Sequence, residues 1–62
     1  KAALNTFNGS IIFKKPSKFS KPVAIAGKGR LFLIKKCKED WCKVKTGNFS
    51  GWIQKKYLKG RL

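Results

Sequence analysis

The sequence has no histidine, no methionine and only two acidic residues, the neighbours Glu39 and Asp40. These gaps exclude most catalysis. General acid–base chemistry near neutral pH leans on histidine or on well-separated carboxylates, and a nucleophile needs a base and a third group to orient it. Glycoside hydrolysis needs carboxyl groups on opposite sides of a cleft, which two adjacent turn residues cannot supply. Two cysteines without histidine fall short of a structural zinc site, so no metal and no other cofactor is expected. No stretch reaches the roughly 20 apolar residues that cross a bilayer, and none combines a basic start with the apolar centre of a signal peptide. The chain begins with Lys1 rather than Met, and the expectation is a mature or excised segment whose targeting signal has been removed.

What is present is basic and moderately apolar. Sixteen Lys and Arg against the two acids give a net charge of +14, and 42% of the 62 residues are hydrophobic. That is too apolar for disorder, and the length has room for one thin-cored domain over residues 1–62. Almost no lysine can find an internal ion-pair partner. A surface of this kind acts on partner choice more than on fold, and it points to phosphate or carboxylate polymers: nucleic acid, anionic lipid or cell-wall glycopeptide. The alternative is a lysine content that is merely compositional.

No segment keeps apolar spacing of three and four over ten residues, while Gly and Pro punctuate the chain. Short runs rich in β-branched and aromatic residues stand out: Ala3 to Phe7, Ser10 to Lys14, Val23 to Ala26, Leu31 to Cys37, Trp41 to Lys45, and Gly51 to Ile53. They predict a small all-β barrel or sandwich. Lys15 to Pro22, with two prolines, is a loop. Gly27-Lys28-Gly29 is a turn, Lys38-Glu39-Asp40 closes one hairpin, and Thr46-Gly47-Asn48 begins another. Gln54 to Tyr57 has room for one helical turn. Alternation sends Leu31 and Leu33 one way and Phe32 and Ile34 the other, and these four join Ile11, Phe13, Val23, Ile25, Val44, Ile53 and Leu58 as the expected core.

Cys37 and Cys42 flank the first hairpin turn, which would set them opposite each other as a disulfide. The chain-entropy model gives about 2 kcal/mol for so short a loop. A disulfide implies an oxidising compartment, periplasmic or secreted; two reduced thiols would instead fit the cytoplasm.

The last third carries a resemblance. Asp40-Trp41-Cys42-Lys43-Val44, Gly51-Trp52-Ile53 and Gln54-Lys55-Lys56-Tyr57-Leu58 are similar, in that order, to the C-terminal half of an SH3 domain. In that family a Trp opens the strand after a hairpin, a Gly-aromatic-aliphatic triplet follows, and a short helical turn ends in Tyr and an aliphatic residue. Nearly the whole chain more closely resembles the bacterial SH3-like domains of cell-envelope proteins, through Ile11 to Pro16, Lys28-Gly29 to Ile34, Trp41 to Val44 and Gly51 to Ile53. Where that family often has Arg-x-Gly-Pro, this chain has Lys14-Lys15-Pro16 without the Gly.

The resemblance implies a five-stranded SH3-like barrel with one short helical turn near the C-terminus. It also implies a noncatalytic module that targets peptidoglycan or another anionic envelope polymer. It places Trp41, Trp52 and Tyr57 on one exposed aromatic platform, with Lys38, Lys55 and Lys56 as its charged rim. The same position in eukaryotic SH3 domains takes proline-rich peptides. Here Gln54 stands where the terminal turn usually has Pro, and the Lys14 to Lys21 loop lacks the acids that pair with basic peptides. Sugars stacked on aromatics, with carboxylates or phosphates held by Lys, fit better. Trp52 and Tyr57 could equally serve to cover a thin core.

Two rival readings fit the same residues. A nucleic-acid-binding small barrel would stack bases on the same aromatics and neutralise phosphates with Lys. The paired cysteines and the scatter of Lys along the chain count against it. A membrane-active peptide would be drawn to anionic lipid by charge alone, and the lack of an amphipathic helix counts against that.

Overall fold

The computed structural model describes residues 1–60. It is all-β apart from one turn of 3-10 helix. The strands are β1 (Ala2–Asn5), β2 (Ser10–Phe13), β3 (Pro22–Ala26), β4 (Leu31–Lys38), β5 (Trp41–Thr46), β6 (Phe49–Gln54) and β7 (Leu58–Gly60), with the helical turn η1 (Lys55–Tyr57) before the last. All pairings are antiparallel, in one sheet of order β3-β2-β6-β5-β4-β1-β7 that is not closed. Seven short strands thus stand where the sequence shows six runs and the resemblance implies a five-stranded barrel. β7 is too short to register as a run, and it forms only by pairing with β1 across the length of the chain.

The hairpins fall where turn chemistry puts them. Lys38 pairs with Trp41 around Glu39-Asp40, and Thr46 pairs with Phe49 around Gly47-Asn48. Glu39 takes a positive φ of 55°, which a tight two-residue turn demands of its first corner. Cys37 and Cys42 are direct partners on β4 and β5, 3.9 Å apart at Cα, and form the expected disulfide.

The core gathers Ile12, Ala26, Phe32, Cys42, Val44 and Ile53, with Ala24, Ile34, Tyr57 and Leu58 packed against it. Five residues expected inside are exposed: Ile11, Val23, Ile25, Leu31 and Leu33. The reason is parity. Successive residues of a strand face opposite ways, so once Ile12 and Phe32 point inward, their apolar neighbours must point out. Ile11 sits opposite Ile25 on the outer face of β2 and β3.

Phe13 is buried, but on the other side of the sheet from Ile12. It pairs with Trp52 of β6, and the contact is made possible by Gly51. A Cβ on Gly51 would come within 2.5 Å of the Phe13 carbonyl oxygen and 2.8 Å of the Ile12 side chain. Only glycine lets β2 lie this close to β6.

One polar side chain knits the opening turns together. Asn5, 1% exposed, donates through Nδ2 to the Phe7 and Gly27 carbonyls at 2.8 Å each, with the Ala26 carbonyl at 3.2 Å. Its Oδ1 accepts from the buried Ser10 hydroxyl at 2.7 Å. The β1–β2 loop is therefore fixed to the β3–β4 turn.

Candidate functional site

Two aromatic pairs define the site. Tyr57, at the end of η1, stacks on Phe7 of the β1–β2 loop with ring centroids 5.0 Å apart. Trp41, at the start of β5, meets Phe13 edge to face at 5.7 Å. Between Phe7, Tyr57 and Phe13 lies a cleft of about 330 Å³, also lined by Ile11, Gln54 and Lys18. Among the described residues Lys18, from the proline-flanked loop, is the only charged residue lining it.

The Phe7–Tyr57 wall is anchored by backbone chemistry. The Thr6 amide and hydroxyl both donate to the Tyr57 carbonyl, at 2.8 and 2.9 Å. The Phe7 carbonyl is held by Asn5. On the far side, the Lys55 amide donates to the Asp40 carbonyl at 2.8 Å, which docks η1 on the tip of the β4–β5 hairpin. A wider depression of about 540 Å³ opens there, lined by Asp40, Gln54, Lys55 and Lys56. Its two ammonium groups and one carboxylate leave the same net charge of +1 as Lys18 gives the first cleft, but no aromatic among the described residues lines it, so the first cleft is the one that joins a cation to stacking faces.

The six residues singled out in the sequence separate into three places. Trp41 and Tyr57 are half-buried and flank the cleft region, with Gln54 linking them: it pairs with Trp41 across β5 and β6 and lines the cleft beside Tyr57. Lys55, Lys56 and Lys38 are exposed. Lys56 holds its Nζ 5.2 Å from the centre of the Tyr57 ring, a cation–π distance, and Lys38 stands opposite Trp41. Trp52 does not share an exposed platform with them, since it is only 9% exposed. It lies between Lys43 and Phe13 in the sheet, with the Lys36 Nζ 5.9 Å from its ring centre. The close approach at Gly51 brings Phe13 onto it, and Trp52 becomes the floor of an outer aromatic layer.

Phe7, Phe13, Ile11 and Lys18 are among the cleft residues that the sequence reading did not assign to a site. Phe13 and Ile11 are apolar strand residues that look like core, and Lys18 is one lysine among many. Phe7 had one usable signal: an aromatic at the end of a run, beside a turn, has little strand to cover it.

Lysines crowd the outer face beside the site. Lys36 is directly opposite Lys43 on β4 and β5, and Lys45 and Lys38 lie on the same face one position to either side.

The model of the bacterial SH3 domain family matches residues 8–60. The chain belongs to the bacterial SH3 domain family. No curated protein and no solved structure matches the chain. Bacterial SH3 domains are a family of small binding modules, and the aromatic cleft of this SH3 domain is consistent with binding. No helix among the described residues is long and apolar enough to cross a membrane.

Proposed function

We propose that residues 1–62 form one noncatalytic binding domain whose ligand is peptidoglycan or another anionic polymer of the cell envelope. The observation that carries this reading is the aromatic cleft with Lys18 on its lip, set in a chain of net charge +14. Phe7, Tyr57 and Phe13 offer flat apolar faces for sugar rings or peptide side chains, Gln54 offers an amide, and Lys18 meets a carboxylate. Trp41, Lys38, Lys55 and Lys56 extend the surface along the polymer. The Cys37–Cys42 disulfide supports an oxidising, extracytoplasmic setting.

A second reading, single-stranded nucleic acid, draws support from the facing lysines of β4 and β5 beside Trp41. Two-dimensional NMR titrations with muropeptides and with oligonucleotides at matched salt discriminate the two. The envelope reading expects muropeptides to shift the amides of Phe7, Lys18, Gln54 and Tyr57 in a saturable way. Trp41→Ala should cost roughly 1 to 3 kcal/mol of affinity through lost stacking. Lys55→Ala should cost less, with an effect that fades as salt screens an exposed charge over about 8 Å. If oligonucleotides alone saturate, the nucleic-acid reading replaces it. If affinity only follows the number of lysines and Trp41→Ala changes nothing, there is no specific site.

A further inference from the structure

The leucines that parity turns outward are not scattered. Leu31 of β4 is directly opposite Leu4 of β1, and Leu33 is directly opposite Ala2. Register therefore sets these four side chains in a square on the outer face, and none of them lines the cleft. Leu31 is 58% exposed, Leu33 54% and Leu4 46%. The square has a charged border: Lys45 of β5 stands opposite Leu33, and Lys59 of β7 stands opposite Leu4. Single exposed leucines need no explanation, but a contiguous apolar patch rimmed by charge marks an interaction surface.

The geometry points to a membrane-contact face, in which Leu4, Leu31 and Leu33 enter the headgroup–acyl boundary of an anionic bilayer while Lys45 and Lys59 meet its phosphates. Charge complementarity selects this occupant. A second copy of the chain would bring two surfaces of +14 together, and four small side chains fall far below the about 800 Å² per partner of a stable protein interface. An anionic bilayer turns the same charge into attraction, and its apolar interior needs no shape complementarity. The contact is peripheral, through a sheet face, and leaves the cleft free.

Because a basic protein adheres to any anionic surface, the test must hold charge constant. Sedimentation with vesicles of phosphatidylglycerol and phosphatidylcholine is compared with vesicles of phosphatidylcholine alone, for wild type and for Leu31→Ser with Leu33→Ser. Both positions are exposed, and near-UV circular dichroism checks that the fold is kept. The double variant should lose partitioning to the anionic vesicles by on the order of tenfold or more, although its charge is unchanged. Lys45→Ala with Lys59→Ala should also partition less, with a weaker salt dependence. Trp41→Ala should partition as wild type does, and the leucine variant should still bind muropeptides, so this face and the cleft stand or fall separately. A leucine variant that partitions like wild type shows that charge alone holds the protein and overturns the proposal. A wild-type dimer in light scattering that the same variant abolishes overturns it in favour of a second copy.

Discussion

The two loops that border the cleft are held in opposite ways. The β1–β2 loop, which carries Phe7, is tied down by partners far away in sequence: Asn5 reaches Ala26 and Gly27, and Thr6 reaches Tyr57. The Lys14 to Lys21 loop, which carries Lys18, is tied mainly to itself. The Lys14 amide donates to the Lys21 carbonyl at 2.9 Å, and the Ser20 hydroxyl lies 2.7 Å from the Ser17 carbonyl oxygen and 3.0 Å from that of Lys15. Phe19 at its tip is 99% exposed. One border of the cleft is thus a fixed aromatic wall, and the other is a basic flap whose internal bonds survive if the whole loop moves. On the proposed function, a ligand meets a preorganised stacking surface first, and the flap's charge then follows its anionic group.

Cutting the fixed corner should do the most damage. Asn5→Ala removes the buried amide that bridges the Phe7, Ala26 and Gly27 carbonyls and the Ser10 hydroxyl, leaving each with one remaining partner, and should lower unfolding free energy in urea by about 2 to 4 kcal/mol. A loss below about 1 kcal/mol would show that the corner does not depend on its amide. The β4–β5 hairpin is an intermediate case, local in sequence like the flap but covalently closed. Reducing the Cys37–Cys42 bond should cost about 2 kcal/mol, and alkylation of the native protein should label no thiol until reductant is added. Two labelled thiols in carefully oxidised protein would remove the disulfide and with it the main support for export.

The flap should be the most tolerant region. Ser20→Ala deletes its internal hydroxyl bonds and should cost no more than about 1 kcal/mol, because the freed carbonyls can turn to water. Phe19→Ser should stay within about 0.5 kcal/mol of wild type in the same urea series. Either of these matching Asn5→Ala would erase the distinction between wall and flap.

What the sequence revealed follows the same division between local and distant. The hairpins, the helical turn and the facing cysteines depend on residues a few positions apart, and each is legible from turn chemistry and spacing. The burial of Trp52 was not legible, because it depends on β2 approaching β6 over Gly51, some forty residues along the chain from Ile12. Nor was the choice between Ile11 and Ile12: two adjacent isoleucines carry the same hydropathy, and only the register with β3 decides which one enters the core. Asn5 gave no warning either, since a polar residue in a strand reads as solvent-facing until the carbonyls that surround it are known.

The facing pair Lys36 and Lys43 has a consequence for how the domain behaves in solution. Like charges directly opposite on neighbouring strands oppose pairing, and a chain with two acids against sixteen bases has little means of neutralising them internally. Added salt should therefore raise the melting temperature, the reverse of what is expected where surface ion pairs help hold a fold together. A polyanion that binds the folded form would raise it further, because binding and folding share one equilibrium. On the proposed envelope polymer the ligand is then also a counterion for the fold, and release from the polymer leaves the domain less stable as well as unbound.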